Sequence, residues 1–123
     1  MKVNDKVFLF ENDLFYIEII KHLLRQEGFI EVWGFEDCDE CLTQANKTPR
    51  LILIDHSLDA INNYKVTNYF QSHFPKTTII MISSMEITAL KSEYPTNNSF
   101  HLINKNSDLR TSLIAVLKQV KGQ

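Results

Sequence analysis

Leu51-Ile52-Leu53-Ile54-Asp55 is a run of four branched apolar residues that ends in a carboxylate. A continuous apolar run of this length fits a strand buried on both faces, as in a parallel sheet covered by helices. A buried strand gains nothing structurally from an acid at its end. In open α/β sheets, however, ligands and chemistry gather at the carboxyl ends of the strands. Asp55 is therefore the first candidate for function. Asp is also a favoured cap and turn residue, so the run by itself leaves both readings open.

Working outward, the chain alternates between strand and helix patterns. Lys6-Val7-Phe8-Leu9-Phe10 reads as a first strand and is followed at once by Glu11, Asn12 and Asp13. A helical pattern comes next, with Leu14, Ile17, Ile20 and Leu24 spaced for one face, and Phe15, Ile19 and Leu23 widening it. Gly28 is placed to stop that helix. Residues 29–35 read as a second strand, and Asp37 with Glu40 resembles a capping box opening a short helix to about Asn46. After Asp55 a helix is expected over residues 61–74, with Val66, Tyr69, Phe70 and Phe74 as its apolar positions and Pro75 beyond it. Residues 77–82 are β-branched and strand-like and close on Ser83-Ser84. Residues 86–92 make a short, weak helix, and Pro95 with Asn97-Asn98 marks a loop. Residues 99–103 read as the fifth strand, followed by Asn104 and Lys105. Ser107 or Asp108 can cap a last helix with Leu109, Leu113, Val116, Leu117 and Val120 on one face.

Five β-α units predict an α/β fold: a five-stranded parallel sheet with helices on both faces and right-handed crossovers. The flavodoxin-like strand order 2-1-3-4-5 is the commonest arrangement for five strands. That order makes the first and third strands neighbours. One rim would then gather Glu11, Asn12, Asp13, Asp55, Ser83 and Lys105.

The bulk numbers narrow the class. With 123 residues, 44% hydrophobic and 23% charged, the chain suits one domain, residues 1–123, with one core. A formal net charge of -2, with no basic run, gives no electrostatic reason to expect nucleic acid. No apolar stretch reaches the roughly 20 residues of a membrane span, and residues 1–5 lack a signal-peptide pattern. A cytoplasmic protein is expected, away from membranes. Two cysteines do not make a disulfide framework.

Acids gathered at one point invite a cation, and carboxylate and amide oxygens suit Mg²⁺. A lysine pairs with an acid or a phosphate oxygen, and a serine hydroxyl can donate to one. The set suits phosphoryl transfer onto Asp55. A carboxylate, with a reference pKa of about 3.9, is ionised at neutral pH and needs no general base to attack phosphorus. Catalysis then rests on alignment and on neutralising the equatorial oxygens.

Lys-Val-Phe-Leu-Phe-Glu-Asn-Asp at 6–13, Leu-Ile-Leu-Ile-Asp at 51–55, Ile-Ile-Met-Ile-Ser-Ser at 79–84 and Leu-Ile-Asn-Lys at 102–105 each end a strand, in the order that resembles the receiver domain of two-component response regulators. The resemblance covers residues 5–121. It implies a non-enzymatic switch that takes a phosphoryl group from a histidine kinase or phosphotransfer protein and signals through contacts with a downstream protein. It implies Asp55 as phosphoacceptor, Ser83 as a phosphoryl-oxygen ligand and Lys105 as partner of the phosphorylated aspartate. Glu11 and Asn12 match the family's acidic metal-binding pair, which with Asp55 and the Ser57 carbonyl would hold Mg²⁺. The surface around the fourth helix, fifth strand and fifth helix is the implied docking or homodimer face.

Several positions depart from the family pattern. Asn12 stands where an Asp is usual, which removes one negative charge and implies weaker Mg²⁺ binding, with Asp13 as a candidate to compensate. Asp59 replaces a usual Pro, Leu102 a usual aromatic switch residue, and Asn106 the Pro after the lysine, where a cis peptide is usual. Asn12 and Leu102 support an alternative, an interaction module of the same fold that no longer depends on phosphorylation. An aspartyl-phosphate phosphotransferase usually needs a second acid two residues after the nucleophile, where Ser57 stands.

Cys38 and Cys41 form a Cys-x-x-Cys at a helix start, but Glu36, Asp37, Asp39 and Glu40 around them disfavour a thiolate. Packing is the better reading. His22, His56, His73 and His101 show no metal-ligand spacing; His56 adjoins Asp55 but reads as a surface residue. No Gly-rich phosphate loop is present.

Overall fold

The computed structural model describes residues 5–56, 60–94, 96–97, 99–106 and 108–122, and of Cys38 and residues 60–63 the backbone alone. Ser57, Asp59, Pro95, Asn98 and Ser107, all used in the sequence reading, lie outside the described residues. In chain order the elements are β1 (Lys6–Phe10), α1 (Leu14–Gln26), β2 (Glu31–Gly34), α2 (Cys38–Thr43), a 3-10 turn (Ala45–Lys47), β3 (Leu51–Asp55), α3 (Ala60–His73), β4 (Thr78–Ser83), α4 (Ile87–Leu90), β5 (Phe100–Asn104) and α5 (Leu109–Lys121). The strands form one sheet in the order β2-β1-β3-β4-β5, with every pairing parallel. This is the expected flavodoxin-like order.

The central strand β3 is buried along its whole length. Strand side chains alternate between the two faces of the sheet. Val7, Leu9, Leu51, Leu53, Ile80, Ile82 and Ile103 pack with Ile20, Leu23 and Leu24 of α1 and Leu109, Leu113, Leu117 and Val120 of α5. Phe8, Phe10, Ile52, Ile54, Ile79, Met81, Phe100 and Leu102 face the other way, onto Cys41, Val66, Phe70 and Leu90 of α2, α3 and α4. Each fully buried Leu, Ile or Phe contributes about 1.5–3 kcal/mol relative to an exposed one. Two such layers explain why the apolar run of β3 needs no alternation. Cys41 belongs to the second layer and is fully buried, in keeping with a packing role.

Local chemistry sets the helix ends. Asp13 caps α1 by accepting from Phe15 N at 2.9 Å. At its other end Gly28, with φ 89°, takes the left-handed conformation. Gly28 N donates to Arg25 O at 3.1 Å and Phe29 N to Leu24 O at 2.9 Å, the paired bonds of a Schellman stop. Asp37 caps α2 through Glu40 N at 2.7 Å. Asp108 sits at the cap position of α5 but its side chain makes no cap bond.

The first turn of α1 departs from the expected pattern. Leu14 and Phe15 are 75% and 68% exposed, although the helical spacing assigns both to the apolar face. The helix begins beyond the last residue of β1, so its first turn overhangs the carboxyl edge of the sheet; Ile20, Leu23 and Leu24 are buried, and Tyr16 and Ile19 pack partly against the same layer. α4 is a single turn, shorter than expected. All described peptide bonds are trans, including that joining Lys105 and Asn106.

Candidate functional site

Strand register brings the sequence candidates together. Phe10 pairs with Ile54, Asp55 with Ile82, and Ile82 with Ile103. Glu11, one residue past β1, therefore arrives level with Asp55, the last residue of β3. Lys105, two residues past Ile103, points to the same face by the two-residue period. That face is the one covered by α1 and α5.

The three charged groups meet. Lys105 Nζ lies 2.7 Å from Asp55 Oδ2 and 2.8 Å from Glu11 Oε2. The side chains involved are 9%, 4% and 1% exposed for lysine, aspartate and glutamate, so the cluster is screened little by solvent. Glu11 Oε1 accepts from the backbone N–H groups of Asn12 at 3.2 Å and Asp13 at 3.1 Å. Among the described residues its Oε2 has the Lys105 ammonium as its one partner. Burial raises the Glu11 pKa; the bonds from Lys105 and the Asp13 N–H oppose this, and the charge of Asp55 adds to it. For Lys105, burial works against the charged form, but the hydrogen bonds to Asp55 and Glu11 outweigh it and the pKa is raised.

Ser83 ends β4 and is buried. Its Oγ accepts from Met85 N at 3.0 Å, a role that leaves its O–H able to donate. Its carbonyl accepts from Lys105 N at 2.8 Å. Asn12 is exposed beside the cluster, and Asp13 is engaged as the helix cap. Ser57 is outside the described residues.

Two participants were missed by the sequence reading. Tyr16 of α1 places its ring under the lysine, with Nζ 4.2 Å from the ring centroid. It carried no signal beyond being one more aromatic in an amphipathic helix. Asn104 donates through Nδ2 to Ser83 O at 3.2 Å and to Met85 O, strapping the β4–α4 loop to β5. A polar residue closing a buried strand was the available clue. His56 is half-buried; its N–H donates to Ile82 O at 2.9 Å, and its ring meets Tyr94 edge-on at 5.9 Å.

The donor set suits a hard divalent cation. Two carboxylates converge on one point, each close enough to the same ammonium that a cation could replace it as their shared partner. Among the described residues no group of three or more His, Cys, Asp and Glu side chains is placed to share a metal.

The sequence profile described as the response regulator receiver domain matches residues 7–117. The chain belongs to this family. Solved structures share its receiver fold at low identity. The signal receiver domain of a protein described as a Luxo repressor from Vibrio parahaemolyticus is 20% identical, with a TM-score of 0.73, over 96% of this chain and 93% of that one. A CheY-like receiver domain from Methylobacillus flagellatus is 15% identical, with a TM-score of 0.69, over 95% and 98%. The receiver domain of a sensor histidine kinase from Pseudomonas aeruginosa is 18% identical, with a TM-score of 0.74, over 98% and 99%, and holds a magnesium ion in its active site cleft. No curated protein sequence matches the chain. In this receiver domain no helix among the described residues is long and apolar enough to cross a membrane.

Proposed function

We propose that this receiver domain accepts a phosphoryl group on Asp55 from a histidine kinase or phosphotransfer protein and passes the signal on through protein contacts. The observation that carries the reading is the buried Lys105 ammonium shared between Asp55, at 2.7 Å, and Glu11, at 2.8 Å, at the carboxyl edge of the sheet. An Asp55 oxygen attacks phosphorus in line, an O–P bond forms, and the P–N bond to the donor imidazole breaks with its electron pair leaving on nitrogen. Lys105 follows the new phosphoryl oxygens, and Ser83 turns its O–H to one of them. Mg²⁺, held by Glu11, Asp55, the Asn12 amide oxygen and the Ser57 carbonyl, would supply positive charge to the equatorial oxygens. Binding is weaker than with an acid at position 12.

The acceptor is used once per phosphorylation, so the chain is a switch and not a turnover catalyst. Exposed Leu14 and Phe15 in the first turn of α1 and Met85 in the β4–α4 loop give the phosphodonor an apolar approach to Asp55. The new charge of about -1.5 to -2 pulls on Ser83 and Lys105 and through them on the β4–α4 loop, toward an output face at α4, β5 and α5. The location is cytoplasmic, where histidine kinases present their phosphohistidine.

The test is intact mass after incubation with acetyl phosphate, with and without Mg²⁺, beside Asp55→Asn. A Mg²⁺-dependent gain of one phosphoryl group, absent from the variant, is expected. A gain that survives in Asp55→Asn shows the wrong residue was chosen. No gain from acetyl phosphate or a kinase at any Mg²⁺ concentration leaves the phosphate-independent interaction module.

A further inference from the structure

We infer that Tyr16 is a positioning residue for Lys105, its ring forming the third wall of the compartment that holds the ammonium. The inference rests on the reading of Asp55 as phosphoacceptor. Nζ has Asp55 Oδ2 at 2.7 Å, Glu11 Oε2 at 2.8 Å and the Tyr16 ring centroid at 4.2 Å. Two of these walls are anionic and compete for the same cation. The third is a quadrupole: it attracts the ammonium over its face and carries no charge that could hold Lys105 away from Asp55.

The ring is fixed from several sides. Asp13 caps the turn that carries Tyr16, through Phe15 N at 2.9 Å. Phe15 meets Tyr16 edge-on at 5.5 Å between ring centroids. On its inner side Tyr16 packs against the layer formed by α1, α5 and the sheet. The same chain entrance holds Glu11, whose Oε1 accepts the N–H groups of Asn12 and Asp13. One short segment therefore sets both the carboxylate that can release Lys105 and the ring that retains it. When a cation draws Glu11 away, Lys105 loses an anionic partner, and the ring keeps Nζ desolvated and directed at the phosphoryl oxygens on Asp55.

Packing alone would also place an aromatic here, and two substitutions separate the roles. Tyr16→Phe keeps the quadrupole and removes the hydroxyl. Tyr16→Leu keeps apolar bulk and removes the ring, with Tyr16→Met as a second ring-free variant should Leu unfold the chain. At saturating acetyl phosphate and Mg²⁺, Tyr16→Leu is expected to slow phosphorylation by roughly 3- to 10-fold, while Tyr16→Phe keeps the wild-type rate. A second readout needs neither metal nor phosphodonor. The Lys105 ε-methylene is bonded to the Nζ that sits over the ring, and its protons are expected to show an upfield ring-current shift in wild type and Tyr16→Phe, lost in the ring-free variants. A wild-type rate in the ring-free variants, an equal loss in Tyr16→Phe, or no ring-current shift in wild type overturns the inference. Should wild type take up no phosphoryl group, the proposed function falls, and the ring-current comparison still decides whether Tyr16 positions Lys105.

Discussion

The two rims of the sheet handle charge in opposite ways. At the amino rim, Arg50 donates to the backbone carbonyls of Val120 at 2.9 Å and Lys76 at 3.4 Å, tying the end of α5 to the loop before β4. Thr77 Oγ donates to Pro49 O at 2.8 Å beside it. Charge there satisfies backbone. At the carboxyl rim, the charged side chains face one another: Glu11 and Asp55, both buried, share the partly buried Lys105. A cavity of about 430 Å³, lined by Pro49, Phe74 and Pro75 among others, opens at the amino rim and exceeds the one of about 250 Å³ beside Tyr16 and Asn106. Size therefore points to the amino rim, and mutual engagement of titratable groups points to the carboxyl rim. A rim that binds its own backbone is finished as structure; a rim whose charges depend on one another can exchange partners.

That contrast can be broken at either end. The largest effect is expected from Lys105→Met, which leaves two buried carboxylates side by side without a cation. Removing one partner of a buried ion pair costs about 3–5 kcal/mol, and phosphorylation should fall roughly 100-fold with the loss of a charged donor to the phosphoryl group. Adding Asp55→Asn should recover much of the lost stability, because the surviving repulsion disappears. Urea unfolding of the three chains measures this; a Lys105→Met chain as stable as wild type would show that the cluster is not coupled. Arg50→Met is the amino-rim counterpart. It strips two carbonyls of their donor at a cost of about 1–3 kcal/mol. Phosphorylation of Asp55 should be unchanged, and a change would mean that the two rims communicate through the sheet.

The same contrast explains what was legible beforehand. The strands, their order and the convergence of Asp55, Lys105 and Glu11 follow from the apolar runs and the polar residues that end them, because alternation and parallel pairing are one-dimensional rules. Leu14 and Phe15 broke the helical pattern because periodicity fixes the face of a helix but not where the helix overhangs its sheet. The roles of Tyr16 and Asn104 were missed for a related reason. Their roles depend on what lies across the rim, a lysine 89 positions away for one and a loop carbonyl for the other. Arg50 could not be read either, since its partners are backbone atoms that carry no residue identity.

The smallest expected effect is the most specific to the carboxyl rim. Burial raises the Glu11 pKa above its ordinary value of 4.5, against the pull of Lys105. Between 4.5 and the raised value, the folded chain holds a proton on Glu11 that the unfolded chain has released. This group's contribution to stability therefore falls as pH rises through that window and recovers as pH drops. Lys105 behaves in the other direction of charge: its pKa is raised above 10.5, so the stability it adds is complete at neutral pH and is lost only as pH climbs through the raised value. On the acid side of neutrality the lysine is constant and the glutamate varies. Glu11→Gln removes the variable group while keeping its shape and an oxygen for the Asn12 and Asp13 N–H groups. Wild type should gain stability relative to Glu11→Gln as pH is lowered from neutral toward 4.5, measured as the difference in urea midpoint at each pH. A constant difference would mean that Glu11 stays ionised across the range, with Lys105 balancing its burial in full, and the site would then offer an incoming cation a carboxylate already committed to its lysine.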